Sequence, residues 1–163
     1  MPFLLIVLAG FAVMEPLTAA THRWVMHGVG EWFHRSHHRA GRPSGWERND
    51  WFPVAFASLV MLGFWVGFNT DHGALVPLGI GVTLYGIAYA LVHDGYIHRR
   101  LRIFGARRIA VLDRLSDAHR IHHLYNAAPY GMLVPIVPAE LRERAAGTDR
   151  DPFREIRPSV GLP

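Results

Sequence analysis

The amino-acid sequence specifies an all-α, integral membrane helical bundle: three spans, with cytoplasmic and interfacial helices carrying a histidine-rich site. Three observations lead there. Long apolar runs recur three times, every positive charge falls to one side of them, and the histidines cluster at their ends.

The first run covers Phe3 to Thr21 and is interrupted only by Glu15 and Pro16. The second, Trp51 to Phe68, and the third, Leu75 to Val92, contain no charge. A helix rises about 1.5 Å per residue, so about 17–25 residues cross a hydrocarbon core of about 30 Å. Buried helices of a soluble bundle would show a polar stripe, and the second and third runs have none. Gly63 with Gly67, and Gly86 with Ala90, repeat the small-xxx-small spacing that lets helices approach in lipid. A cleaved signal would need a positive n-region. The first arginine is Arg23, after the run, so the run is expected to stay as a span with its N-terminus outside.

Arg23, Arg35, Arg39, Arg42 and Arg48 lie between spans one and two, and the other twelve, Arg99 to Arg157, follow span three. The turn Thr70 to Ala74 holds none. This partition predicts a multi-pass protein of the bacterial cytoplasmic membrane with both basic stretches inside. Beyond the spans, Arg107 to Tyr125 mixes apolar and charged residues as an amphipathic helix does. Tyr130 to Val137 is apolar but too short to cross, and Pro135 and Pro138 punctuate it. Residues 1–139 are therefore read as one membrane-embedded domain and 140–163 as a polar cytoplasmic tail, helical at first and loose afterwards.

Composition removes several chemistries. Of 163 residues 50% are hydrophobic, and the formal charge is +4 with histidine neutral. Cysteine is absent, which excludes disulfides, haem-thiolate and cysteine-ligated iron–sulfur sites, and Cys-type zinc fingers. All 17 basic residues are arginine, so neither a Schiff-base lysine nor a P-loop lysine exists. Positive-inside bias explains the arginine excess, and no nucleic-acid binding is inferred from it.

Ten of the 11 histidines form a doubled pattern. His22 and His27 are spaced HxxxxH, and His34, His37 and His38 form HxxHH. His93 and His98 then repeat the pair, and His119, His122 and His123 the triplet. On a helix, positions i, i+3 and i+4 share one face, so each triplet points three imidazoles one way. The pair positions diverge on an ideal α-helix and reach one site only if the helix bends or ends between them; Gly28 and Gly95 allow this. His72, alone in the turn between spans two and three, is read as a surface residue.

Ten imidazoles exceed the four ligands of a structural zinc site and suffice for two octahedral metals with open positions. Imidazole suits iron, zinc, copper and nickel, so ligand type alone leaves the metal open. A transporter, or another histidine-rich membrane metal-binding protein, is the alternative from a different class. A transporter's ligands belong near the midplane of the spans, whereas these lie at span ends.

The order HxxxxH, HxxHH, HxxxxH, HxxHH, with the strings HRWVMHG, FHRSHH, VHDGYIH and AHRIHH, resembles the bacterial β-carotene hydroxylases of the membrane fatty-acid-hydroxylase and sterol-desaturase superfamily. The resemblance runs from about Glu15 to His123 and includes the Asn49–Asp50 pair and the YGxxY of Tyr85, Gly86 and Tyr89. From Leu124 onward it is loose. It implies a non-haem di-iron mono-oxygenase that inserts one atom of O2 at C3 of a β-ionone ring, converting β-carotene to β-cryptoxanthin and zeaxanthin. A relative acting on another lipid, such as a fatty acid or sterol, is the nearest alternative. The ten patterned histidines inherit the ligand role, with the division between direct ligands and supporting residues left open.

Iron fits this activity, because cleaving an unactivated C–H bond needs a redox-active ion and zinc is not one. No Gly-rich dinucleotide loop follows a strand; the only GxG, Gly79 and Gly81, lies inside span three. Electrons must then come from a separate ferredoxin or reductase. Glu15, seven residues before His22 and inside a span, either supports the site by hydrogen bonding or is a buried polar group beside the Pro16 kink. Asp94, Asp117 and Asn126 either orient imidazoles or face solvent. Met26, Trp32, Phe52, Phe56, Tyr85 and Tyr89 either line a groove for the polyene drawn from the bilayer or are ordinary bundle and interface side chains.

Overall fold

In the computed structural model, which describes residues 2–38 and 45–153, every regular element is helical. The first helix, α1 (Pro2–Ala20), runs into a π-helical segment, Thr21–Val29. A short α2 (Glu31–His34) follows, and a 3-10 turn (Arg48–Asp50) leads into α3 (Trp51–Asn69). Next, α4 (Leu75–Ala90) runs into a second π-helical segment, Leu91–Ile97. Finally come α5 (Ala110–Tyr125) and α6 (Ala139–Ala146). Arg39, Arg42, Arg157 and the final ten residues of the tail lie outside the described residues.

Three continuous helical stretches, Pro2–Val29, Arg48–Asn69 and Leu75–Ile97, are long and apolar enough to cross a membrane. Their outward faces carry large apolar side chains such as Leu5, Leu59, Met61, Trp65 and Phe68, each more than half exposed. Lipid satisfies such a surface, and a helix satisfies its own backbone there. The chain is a membrane protein.

The central span is α4, packed against α1 on one side and α3 on the other. Its approach to α1 is backbone to backbone. A methyl group on Gly81 would meet the Val7 carbonyl and stand 2.8 Å from the Phe11 nitrogen, and one on Gly10 would stand 2.8 Å from the Leu78 carbonyl. Against α3, Gly67 faces Val76 and Leu75, and Gly79 faces the Phe64 ring. The small-residue spacing noted in the sequence is thus only partly used. Gly67 packs, but a Cβ on Gly63 or Gly86 would meet nothing within 4 Å. The interhelical seam follows Gly10, Gly79, Gly81 and Tyr85, and Gly86 is one residue past Tyr85, turned off that face.

Alternation of the spans sends the end of α1, the start of α3 and the end of α4 to one end of the bundle. The main apolar core sits there: Val92, Tyr96, Ile97, Met132 and Phe153, with Tyr89, Phe104, Leu112, Leu115 and Leu133 around them. The amphipathic α5 lies across this end. Its start is tied down where the Ile109 amide donates to the Tyr96 hydroxyl (2.9 Å), which donates to Asp113 (2.7 Å). It stops at Asn126, left-handed at φ 51°, a position where asparagine is tolerated.

Residues 130–137 form no regular element. Their backbone amides at Leu133 and Val134 donate to the Glu15 carboxylate at 3.1 and 2.8 Å, which is how irregular backbone is tolerated beside a span. The tail beginning at Glu140 does not stand clear of the bundle either. Arg120 donates to the Ala145 and Arg150 carbonyls, and Phe153 is only 2% exposed.

Candidate metal centre

All ten patterned histidines meet at this end of the bundle, and His72 lies in the turn at the other, its Nδ1 3.0 Å from the Thr70 hydroxyl. They form two cages. In the first, His22, His27, His34, His38 and His122 bring their nitrogens within 4.8 Å of one another. In the second, His37, His93, His98 and His119 do the same, and His123 joins them with its Nε2 3.0 Å from that of His119. The cages abut, with the His38 and His123 rings stacked at 4.2 Å.

The local backbone explains the spacing. The bend expected between the paired histidines is supplied by π-helix, whose i→i+5 hydrogen bonding sets residue i+5 over residue i. His98 donates its backbone amide to the His93 carbonyl at 2.8 Å in this way. The first π segment then breaks at Gly28 (φ −110°, ψ −114°), and a Cβ on Gly30 would stand 2.9 Å from the Phe52 ring.

The triplets do something their linear pattern conceals. His34 and His38 serve the first cage while His37 turns to the second, and His119 and His123 serve the second while His122 turns to the first. Positions i and i+4 stack along one line of a helix, and i+3 is displaced to one side. Each triplet therefore straddles both cages.

Protons settle the chemistry of the donors. His22 donates through Nδ1 to the Tyr130 carbonyl (3.0 Å), His34 to Asn49 Oδ1 (2.7 Å), and His122 to the Ala127 carbonyl (2.6 Å). A neutral imidazole has one proton, so the Nε2 of each is a bare lone pair. Those Nε2 atoms face one another: His22 to His34 at 3.0 Å, His34 to His38 at 3.0 Å, His122 to His38 at 3.1 Å and to His27 at 3.2 Å. Burial, reinforced by neighbouring imidazoles, lowers the pKa of His34 to about 3 and His38 to about 2. It holds His37, His98, His119, His122 and His123 well below the usual histidine range. Converging, deprotonated nitrogens repel one another unless a cation lies between them. The residues fit a metal in each cage.

Carboxylates gather behind the second cage. Asp94 Oδ1 accepts from His93 Nδ1 at 3.2 Å, and Glu47 Oε2 lies 3.8 Å from His37 Nδ1. Arg100 grips Asp50 with both terminal nitrogens at 2.7 Å and reaches Asp94 at 3.4 Å. Asp50 in turn accepts from the Glu47 amide at 2.8 Å. Burial pushes the Glu47 carboxyl up, and its Oε2 is buried without a hydrogen-bond partner.

Of the supporting residues read from sequence, Asp94 alone touches a cage histidine. Glu15 contacts none; it accepts from the Tyr85 hydroxyl at 2.6 Å and from the segment whose Tyr130 carbonyl holds His22. Asp117 is exposed, two residues and so half a turn away from His119. Asn126 is also exposed, and its contribution is the turn that presents Ala127 to His122. Tyr85 is buried and Tyr89 stacks toward His93 at 5.1 Å. Phe52 sits 6.4 Å from the His34 ring. Met26 and Phe56 are half-buried, while Trp32 is 53% exposed and covered by the Arg48 guanidinium at 4.2 Å.

Sequence reasoning missed Tyr130, Glu47, Arg100 and Phe153. The Phe153 ring packs on His98, His119 and His123 at 5.0, 6.0 and 5.0 Å, and its one signal was an isolated aromatic in a polar tail.

The profile of the fatty acid hydroxylase family matches residues 7–140. Over 167 residues the chain is 36% identical to the β-carotene hydroxylase of Pseudescherichia vulneris, covering 98% of this chain and 94% of that protein. It is 38% identical to the β-carotene hydroxylase of Pantoea ananas, covering 90% and 89%. It is 37% identical to the chloroplastic β-carotene 3-hydroxylase of Haematococcus lacustris, covering 80% of this chain and 42% of that one. No solved structure matches.

Proposed function

The chain belongs to the fatty acid hydroxylase family, and we propose that it hydroxylates C3 of the β-ionone rings of β-carotene, giving β-cryptoxanthin and then zeaxanthin. The observation that carries this reading is the pair of histidine cages at the end of the bundle opposite His72. The relatives that match nearly end to end are named β-carotene hydroxylases.

Two iron ions, one in each cage, would supply the redox chemistry that lets O2 oxidise a ring C–H bond. The protein's own part is to hold and shield. Oxygen acceptors on His22, His34, His93 and His122 fix ring orientation, so each Nε2 stays aimed inward. The Tyr130 ring covers the first cage, 5.5–5.7 Å from His22, His27 and His122, and Phe153 covers the second. Both exclude water from the histidines. A water-insoluble polyene would stay against the apolar spans with one ring at the mouth of the bundle, where Met26, Phe52 and Phe56 lie half-buried.

The sequence provides no dinucleotide loop, so the electrons come from a separate ferredoxin or reductase. Arg102 and Arg107, both exposed, would offer an acidic donor a complementary surface. The partition of arginine supports a place for both cages on the cytoplasmic side of the bacterial inner membrane.

Expression in a bacterium that accumulates β-carotene tests the proposal. Extracted pigments should shift to β-cryptoxanthin and zeaxanthin, and His37→Ala or His122→Ala should abolish the shift. An unchanged carotenoid profile with well-expressed protein would overturn the substrate assignment.

A further inference from the structure

The two cages have different backing. In the first, the hydrogen-bonded Nδ1 protons go to neutral oxygens: the Tyr130 and Ala127 carbonyls and the Asn49 amide. Glu31 interacts electrostatically with His27, but no hydrogen bond joins them among the described residues. In the second, His93 donates to the Asp94 carboxylate, and His37 has the Glu47 carboxylate 3.8 Å behind it. Among the described residues, Glu47 and Asp94 lie against this cage, with Asp50 and the Arg100 guanidinium behind them. That guanidinium is committed mainly to Asp50, with both short contacts there.

We propose that the second cage binds its metal more tightly than the first, with Asp94 and Glu47 the positioning residues responsible. The inference rests on the metal reading above. A carboxylate accepting from Nδ1 makes the opposite Nε2 a more basic donor, and loss of such a partner lowers metal affinity about 10- to 100-fold. The Asp94 carboxylate, directly against His93, adds direct attraction for a dication. The burial of Glu47 Oε2 points the same way. A buried carboxylate oxygen without a hydrogen-bond partner is costly, and a cation held by His37 supplies the missing charge.

The test uses the purified, iron-loaded protein in detergent, equilibrated under argon with graded amounts of a chromophoric ferrous chelator. Iron retained per chain is measured together with the Mössbauer spectrum. Two steps are expected, separated by at least tenfold in chelator, with one spectral component leaving before the other. Asp94→Asn and Glu47→Gln should each weaken the tighter step about 10- to 100-fold and leave the weaker one in place, and the exposed Asp117→Asn should move neither. His22→Ala should retain the tighter step. A single step for both ions, a tighter step that ignores both Asp94→Asn and Glu47→Gln, or its loss in His22→Ala would overturn the proposal. Protein that retains no iron before chelator is added would instead overturn the metal assignment beneath it.

Discussion

The carboxylate of Glu15, within the first span, accepts a hydrogen bond of 2.6 Å from the hydroxyl of Tyr85, within the third. Two further donors, the backbone amides of Leu133 and Val134, complete its shell. An ionisable group at this depth is thereby satisfied, and it ties the irregular segment to two spans. Glu15→Ala should lower stability by about 3 kcal/mol, since it strands three donors at once. Tyr85→Phe, which removes one donor, should cost about 1–2 kcal/mol. Thermal unfolding in detergent checks both, and a Glu15→Ala effect no larger than that of Tyr85→Phe would contradict the anchoring role.

The interchange of middle histidines predicts how variants combine. His34→Ala and His122→Ala strike the same cage despite lying in different triplets, so the double variant should lose about as much metal as either single one. His37→Ala with His122→Ala strikes both cages and should remove nearly all of it. Metal analysis of the four purified proteins distinguishes this from a scheme in which each triplet serves one ion.

His72 stands at the opposite end of the bundle, its ring against the Thr70 hydroxyl. His72→Ala should leave metal content unchanged and hydroxylated pigment within twofold of the parent protein. Loss comparable to a cage variant would refute the division of the histidines between the two ends.

The close approach of α1 and α4 gives a matched pair of glycine variants. Gly81→Ala places a methyl group against the Val7 carbonyl and the Phe11 amide and should destabilise by about 1–3 kcal/mol. Gly86→Ala adds the same methyl group to open space and should stay within about 0.5 kcal/mol. Thermal unfolding of the two, side by side, separates interhelical contact from helix propensity.

Much of this architecture was legible in the residues, because lipid imposes a simple rule on spans and histidine is rare enough for a doubled pattern to stand out. Which imidazole faces which cage was not. That assignment depends on which way the displaced middle residue of each triplet turns, and the spacing alone does not say which cage it meets. Long-range partners were hidden for a similar reason. Glu15 meets Val134 and His22 meets Tyr130 across more than a hundred residues, and nothing local to either member announces the other. Asp117 and Asn126 looked suitable by proximity in sequence, but the turn of α5 carries one away from the cages and leaves the other acting through its backbone.

Because each triplet lends one imidazole across to its neighbour, neither half of the polypeptide owns a full set of donors. Cut the chain in the turn holding His72, and the N-terminal fragment keeps four of the first cage's five nitrogens while the C-terminal fragment keeps four of the second's. Each piece would be an incomplete coordination sphere in search of its counterpart, so co-production of the two should restore what neither achieves alone.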